Sequence, residues 1–440
     1  MVITIIGHGY VGIVAACVFA DFGNKVFVIG RTPEKLARLR RGDPLIYEPG
    51  LAELLEKNIK ADRLVFTTEY AQALHESSIV FNCVGTPPKP ETGEADLSAV
   101  FHVTRQIGRN LDVHKFTVVS CKSTVPVGTN HEVEKIIREE LTTRLPKGKT
   151  CEDVFAVASC PEFLREGSGI YDTLNPDRTV IGTHDKRAAE LLLELHKPLP
   201  GERILCDISS AELIKYASNS LLATKISFAN MISFFAEKLG ADAPKVLRAV
   251  GLDNRIGPKN LDVSIGYGGA CFPKDVQALT ATGKAIGVDV SLLEAVERVN
   301  HIAWQNFTQK VLQHVTPGSR IAVWGLSFKA NTDDVRFAPS LKIIKALSEK
   351  GYSIAAYDPA AMQNARRQVE DAITFYVDDP YEALEGSSAL CVLTEWNEFR
   401  QADMQKVRSL LKVPLIIDGR NLYDPDTMKN LGITYISTGR

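Results

Sequence analysis

The run Val2-Ile3-Thr4-Ile5-Ile6-Gly7-His8-Gly9-Tyr10-Val11-Gly12 constrains the fold more than any other part of the chain. A short β-branched apolar run leads straight into Gly-x-Gly-x-x-Gly. An apolar stretch of helical character follows from about Tyr10 to Phe22, and then a second apolar run from Lys25 to Ile29. Strand, glycine turn, helix and strand make a βαβ unit, whose natural setting is a parallel sheet. Gly7, Gly9 and Gly12 allow a tight turn and close backbone approach. The helix beginning at Tyr10 and Val11 offers unbonded N–H groups and a positive dipole end to a pyrophosphate. In this context the loop reads as a dinucleotide-binding site.

Further apolar strands are expected at 78–84, 117–121, 154–158 and 178–181, alternating with helical segments, which predicts a doubly wound domain over 1–205. The segment 209–239 contains no proline or glycine, and Leu213, Ala217, Leu221, Ile232 and Phe235 recur at helical spacing. Ser209 or Ser210 can cap its start, Gly240 can end it, and a helix of roughly 30 residues spans roughly 45 Å. Helix continues through 244–250 and 276–301, so 206–305 reads as a helical region suited to bridging domains and packing against a second copy. A new sheet opens at 320–325, with strands near 353–357, 389–393 and 415–417, giving a smaller α/β domain over 306–440. The expected fold is therefore α/β: two Rossmann-like doubly wound domains joined by a long central helix and a helical dimerisation region.

Composition excludes several classes. A formal net charge of -2 gives no electrostatic case for nucleic acid or a membrane surface. No apolar run is long enough to span a bilayer, and the N-terminal run lacks the basic flank of a signal peptide. The eight cysteines form no CxxC pair, so neither a metal site nor a disulfide framework is signalled, and a reducing cytoplasm is the expected setting.

Cofactor choice is less settled. An acid at the end of the second strand, about 20 residues beyond the loop, ordinarily binds the adenosine 2′-hydroxyl of NAD. Here the strand ends Ile29-Gly30-Arg31, and Lys35 follows. A small residue and a cation suit the 2′-phosphate of NADP, although Arg31 also fits a solvated turn or a stack on adenine. The alternatives NAD and NADP stay open.

Cys271, in Gly268-Gly269-Ala270-Cys271-Phe272-Pro273-Lys274-Asp275, is a candidate nucleophile: small neighbours admit a ligand, and Lys274 can favour the thiolate. A buried structural cysteine beside a glycine turn fits the local sequence equally well.

Taken together, the chain resembles the nucleotide-sugar dehydrogenase (UDP-glucose/GDP-mannose dehydrogenase) family over nearly its whole length. The resemblance rests on the glycine loop, Pro44-Leu45-Ile46-Tyr47-Glu48-Pro49-Gly50-Leu51, Val84-Gly85-Thr86-Pro87, Lys122-Ser123-Thr124-Val125-Pro126 and Pro161-Glu162-Phe163-Leu164-Arg165-Glu166-Gly167. It continues through Glu212-Leu213-x-Lys215 with Asn219, the Cys271 run, and Thr394-Glu395-Trp396. The Cys-Phe-Pro-Lys-Asp form is similar to the UDP-glucose branch. Cys160 and Cys121 depart from the family, which often has asparagine and glutamate there.

The resemblance implies oxidation of a sugar C6 alcohol to a carboxylate, two cofactors reduced per turnover, a UDP-sugar substrate and a homodimer or larger assembly. It implies Cys271 as nucleophile, Lys215 and Asn219 as oxyanion stabilisers, and Glu162, Thr124 and Asp275 around the hydrolytic water. Cofactor contacts would include Gly85, Thr86, Pro87, Thr124, Glu166, Lys274 and Arg336. Substrate contacts would include Glu162, Phe163, Leu164, Lys215, Asn219, Tyr267, Gly268, Lys329 and Arg420, with Arg255 reaching the neighbouring subunit's substrate.

The chemistry agrees. An alcohol becomes an acid by losing two hydrides, and a thiolate adduct turns the intermediate aldehyde into a second hydride donor. Residues four apart, Lys215 and Asn219, share a helix face, and Glu162 and Glu166 after Pro161 suit a helix first turn. Solvated helix faces are the plain alternative for both pairs. Rival activities are a dehydrogenase of another nucleotide sugar, a two-electron hydroxyacid dehydrogenase, and a cofactor-sensing protein without catalysis.

Overall fold

The first apolar run forms strand β1, Val2–Ile6, inside an eight-stranded sheet with β2 (Lys25–Ile29), β3 (Leu64–Thr67), β4 (Ile79–Asn82), β5 (Thr117–Cys121), β6 (Phe155–Ser159), β7 (Arg178–Gly182) and β8 (Glu202–Cys206). The strand order is β3-β2-β1-β4-β5-β6-β7-β8. Alternate residues of β1 serve opposite faces. Ile3 and Ile5 pack with the helices Tyr10–Asp21, Leu51–Lys60 and Lys186–His196. Ile6 packs with Tyr70–Glu76, Ser98–Asn110 and Thr129–Leu141. Burial on both faces is why the central strands read as continuous apolar runs.

The computed structural model describes residues 1–440 as two units, Met1–Ser218 with Gln277–Thr282, and Asn219–Val276 with Gly283–Arg440. The first contains the eight-stranded sheet. Its strands run parallel except where β6 meets β7 in antiparallel register at Ser159 and Gly182. A fully parallel sheet to residue 205 was the expectation. Between β6 and β7 the only helix is Gly169–Leu174, too short to carry the chain back for a parallel return.

The second unit holds a six-stranded, all-parallel sheet of β9 (Arg320–Trp324), β10 (Ser353–Tyr357), β11 (Phe375–Tyr376), β12 (Ala389–Val392), β13 (Leu415–Asp418) and β14 (Thr434–Ser437). Its order, β11-β10-β9-β12-β13-β14, repeats that of the first six strands of the other sheet. Both are the doubly wound order of Rossmann domains, which places ligands beyond the strand C-termini where the winding reverses.

The long helix is Ile208–Leu239. Its cap is neither Ser209 nor Ser210 but Asp207, whose carboxylate accepts the Ser210 N–H at 2.8 Å and the Ser210 hydroxyl at 2.6 Å. The continuous helix expected over 276–301 is two helices, Phe272–Ala285 and Ser291–His314. Gly287 turns left-handed between them (φ +77°), and Asp289 accepts the Ser291 N–H at 2.9 Å to start the second. No helix is long and apolar enough to cross a membrane.

Candidate active site

The glycine loop lies between the C-terminus of β1 and the helix Tyr10–Asp21, and the Gly7 N–H bonds the Ile29 carbonyl at 2.9 Å. A Cβ at Gly12 would stand 2.0 Å from the Gly7 carbonyl oxygen, and one at Gly7, where φ is +109°, 2.8 Å from that of Cys83. A Cβ at Gly9 would meet nothing within 4 Å, nor would one at Gly85 after β4. Two glycines thus serve internal packing, while Gly9 and Gly85 leave backbone open to a ligand. Gly9 caps the helix without a side-chain bond, and no acid stands in the first turn. Those amides are suited to a pyrophosphate, and the loop fits a dinucleotide.

Around this loop the first unit builds a buried polar group. Tyr10 donates its hydroxyl to Glu48, and Glu48 also accepts the N–H of Gly167 at 2.7 Å and of Ile170 at 3.3 Å. That carboxylate tethers the segment carrying Glu162, Phe163, Leu164 and Glu166 to the cofactor helix. The segment is not the helical first turn expected from Pro161. It has no regular secondary structure, turns at Gly167 (φ +80°), and the Glu162 carboxylate accepts the Leu164 N–H at 2.7 Å.

Glu162 and Lys215 form an ion pair of 3.0 Å, with side chains 7% and 4% exposed. The Phe163 ring lies beneath Lys215 and also beneath Arg178, 4.0 Å from its guanidinium carbon. Thr86 and Thr124 are buried, and the Thr86 hydroxyl donates to the Thr124 carbonyl at 2.9 Å. Glu166 is buried as well.

One helical turn beyond Lys215, Asn219 begins the second unit and is also buried, so neither residue lies on a solvated face. The Asn219 amide donates to Asp275 Oδ2 at 2.6 Å, and Lys274 Nζ meets Asp275 Oδ1 at 2.5 Å. The lysine expected to favour the Cys271 thiolate is thus directed to Asp275. What stands next to Cys271 is a helix start. Its carbonyl accepts the Asp275 N–H at 3.0 Å, the opening bond of the helix Phe272–Ala285, and that end of a helix favours negative charge. Cys271 is partly exposed, not core.

The glycines before Cys271 have a packing role that the sequence did not reveal. Cβ atoms at Gly268 and Gly269 would fall 2.7 Å from the Phe337 carbonyl oxygen and from the Phe328 ring. The Gly269 N–H bonds the Arg336 carbonyl at 2.8 Å, which fastens the cysteine loop to the 328–337 segment. Tyr267 is held by Asn300 through its N–H at 2.7 Å and its carbonyl at 3.1 Å. Its hydroxyl is buried without a hydrogen-bond partner.

The remaining cations differ in setting. The Arg420 side chain is 11% exposed, donates to the Leu393 and Phe328 carbonyls at 2.9 Å each and pairs with Glu395 at 3.2 Å. Lys329 is half-buried with its ammonium 5.5 Å from the Phe328 ring centre. Arg336 pairs with Asp334 at 2.7 Å. The Arg255 side chain is 88% exposed and pairs with Asp253. Arg31 and Lys35 are exposed beside β2.

Two supporting carboxylates went unassigned in the sequence. Glu48 lay in a recognised motif without a role. Glu212 accepts the N–H groups of Gly128 and Asn130 at 2.7 and 2.8 Å and the Asn130 amide at 2.7 Å. It thus caps the helix Thr129–Leu141 from a distant part of the chain, and burial raises its pKa. Helix-spaced neighbours Lys215 and Asn219 hinted at a buried face through Glu212, but a cap supplied across more than 80 residues leaves no local pattern.

Residues 1–200 match the NAD binding domain of the UDP-glucose/GDP-mannose dehydrogenase family, residues 209–302 its central domain, and residues 322–425 its UDP binding domain. The UDP-glucose 6-dehydrogenase TuaD of Bacillus subtilis (strain 168) is 44% identical over 440 residues, covering 100% of this chain and 93% of that protein. A UDP-glucose dehydrogenase from the hyperthermophilic archaeon Pyrobaculum islandicum superimposes with a TM-score of 0.88 at 37% identity, covering 99% of this chain and 96% of that one. A UDP-D-ManNAc dehydrogenase from Pyrococcus horikoshii superimposes with a TM-score of 0.86 at 25% identity, covering 100% and 99%.

Proposed function

The chain belongs to the UDP-glucose/GDP-mannose dehydrogenase family, and we propose that it oxidises the C6 alcohol of UDP-glucose to the carboxylate of UDP-glucuronate. It is an oxidoreductase with an NAD binding domain. The observation that carries the proposal is Cys271, partly exposed at the start of a helix whose first turn holds the Asn219–Asp275–Lys274 chain of bonds.

Bound NAD supplies a hydride acceptor, and the glycine loop with Gly85, Thr86 and Pro87 would hold it. Two hydrides must leave C6, the first as the C6 hydroxyl releases its proton to water. After the first, C6 is an aldehyde carbon with no oxygen nucleophile. The Cys271 thiolate adds to that carbon, its S–C bond forming as the carbonyl electron pair moves to oxygen. Loss of the second hydride from this thiohemiacetal restores the C=O bond and leaves a thioester. Water then attacks the thioester carbon, the S–C bond breaks, and the sulfur leaves as thiolate with the acid as product.

Negative charge gathers on the C6 oxygen in both addition steps. The Lys215 ammonium and the Asn219 amide are the groups to meet it, since one amide N–H bonds Asp275 and leaves the other for an oxygen. Glu162 takes a proton from the attacking water, with Thr124 and Asp275 positioning it. On this proposal Phe163, Leu164, Tyr267, Gly268, Lys329 and Arg420 would contact the substrate, and Glu166, Lys274 and Arg336 would contact the cofactor. Burial of Lys215, Asn219, Glu162, Thr124 and Asp275 supports these roles, because buried polar residues beyond the needs of packing mark functional sites.

The active form on this reading is a dimer working in the cytoplasm, with the chain divided functionally at about 205 and 305. The long helix exposes Leu221 (62%), Phe228 (44%) and Phe235 (56%) at intervals of seven residues, a spacing that suits a paired helix. Arg255 would then contact the substrate of the second copy.

The test is turnover with UDP-glucose followed to completion. Two reduced cofactors per sugar and a uronate product agree with the proposal. One reduced cofactor per sugar removes the thioester route. Turnover of a UDP-N-acetylhexosamine or GDP-mannose in place of UDP-glucose reassigns the substrate.

A further inference from the structure

The end of β2 departs from what an NAD site needs, and it does so for a steric reason. Gly30 directly follows Ile29, whose carbonyl accepts the Gly7 N–H, so Gly30 sits beside the glycine loop where an acid would bind the adenosine ribose. A Cβ on Gly30 would lie 2.6 Å from His8 Cδ2, 3.1 Å from His8 Nε2 and 2.9 Å from a Leu36 methyl. The glycine does not leave an open space there; the His8 imidazole fills it. His8 and the absence of an acid therefore go together, and no carboxylate can be placed at 30 while His8 keeps its position.

The charges around this point are one-sided. Over 30–42 there are five cations, Arg31, Lys35, Arg38, Arg40 and Arg41, and one carboxylate, Glu34. Arg38 is engaged by Asp43 at 2.6 Å and Arg40 by the Phe66 carbonyl at 2.6 Å. Arg31, just before the N-cap Thr32, and Lys35, in the first turn of the helix Pro33–Arg40, have no such partner. Burial lowers the His8 pKa, and the charges of Lys35 and Arg31 lower it further. His8 Nε2 is itself buried without a hydrogen-bond partner.

We propose that this corner binds the 2′-phosphate of an adenine dinucleotide through Arg31 and Lys35, so that NADP is accepted in addition to NAD and held more tightly at its adenosine end. Arg31 offers a planar fork of donors, and Lys35 a second positive charge. The missing acid removes the repulsion by which NAD sites reject that phosphate. The proposal rests on the glycine loop being the dinucleotide site.

The test compares small ligands bound to the full chain by titration calorimetry, independent of turnover: adenosine 5′-monophosphate, adenosine 2′,5′-bisphosphate, and adenosine 3′,5′-bisphosphate as a control of equal charge. The 2′,5′ compound is expected to bind roughly tenfold tighter than either of the others, the scale of one charge-assisted contact. Arg31→Ala/Lys35→Ala removes that advantage and leaves 5′-monophosphate binding unchanged. Both residues are exposed, and an unchanged melting temperature verifies folding. Equal affinity for the 2′,5′ and 3′,5′ compounds, or an equal loss for all three in the variant, overturns the 2′-phosphate site while the cofactor reading stands. Failure of all three to bind overturns both.

Discussion

Replacing Lys215 with methionine isolates the buried ion pair on which the site depends. The Lys215–Glu162 separation is 3.0 Å, and both side chains are almost wholly buried. At an effective dielectric constant near 20, that separation corresponds to an attraction of about 5–6 kcal/mol. Dehydration of the two ions opposes it by several kcal/mol each, so the pair adds little net stability relative to an apolar substitute of the same shape. Removing the lysine alone is different, because Glu162 stays buried with its Leu164 N–H bond and without its countercharge. Lys215→Met is therefore expected to destabilise the first unit by ~3–5 kcal/mol. Lys215→Met/Glu162→Gln, which removes both charges and keeps an acceptor for Leu164, should recover at least ~2 kcal/mol of that loss. Hydrogen exchange at the β6 amides, which report on the first unit, measures both variants and the Glu162→Gln single as a double-mutant cycle. A loss below about 1 kcal/mol in Lys215→Met, or a double variant no more stable than Lys215→Met, would show that Glu162 does not need its countercharge.

Two further outcomes follow from other parts of the molecule. His196 is buried with its Nδ1–H donating to the Leu192 carbonyl at 2.7 Å and its ring edge-on to Phe19, and burial with the nearby Lys122 pushes its pKa down to about 3. Its neutral form contributes full stability above the unfolded value near 6.5, and that contribution is lost as pH falls toward the folded value, by about 2 kcal/mol between pH 7 and 5. His196→Gln should flatten that part of the unfolding profile, and an unchanged slope contradicts it. Phe228→Asp, placed in the centre of the exposed Leu221–Phe235 stripe, should halve the mass measured by light scattering; an unchanged oligomer excludes that face.

The fold was legible where local patterns decide it. Residues 2–29 announced a βαβ unit because strand, glycine turn and helix succeed one another with the periodicity each requires, and the long helix was found within a residue at its N-terminus. What escaped was set by distant partners. β8 and β14 lie at sheet edges, half-exposed and mixed in composition, so their patterns are weak. The reversal between β6 and β7 goes with the shortness of the one helix between them, Gly169–Leu174, which no single residue encodes. In the site, Cys271, Lys215 and Asn219 stood out as residue types. The Asn219 bond to Asp275, the tether at Glu48 and the cap from Glu212 are long-range bonds. Gly30 illustrates the limit well: in the sequence it stood only as a small residue, whereas in the fold His8, more than 20 positions earlier, fills the space beside it.

In the proposed reaction the Cys271 sulfur carries the sugar through the second oxidation. Cys271→Ser keeps the size and position of the side chain at the helix start but replaces a thiolate with a poor nucleophile. The direct measurement is uronate formation from UDP-glucose by this variant, with product identified by mass and reduced cofactor counted in the same sample. Cys271→Ser is expected to lose the acid product, against two reduced cofactors and one uronate per sugar in the unaltered protein. Acid formed by the serine variant at the unaltered rate and ratio would contradict it.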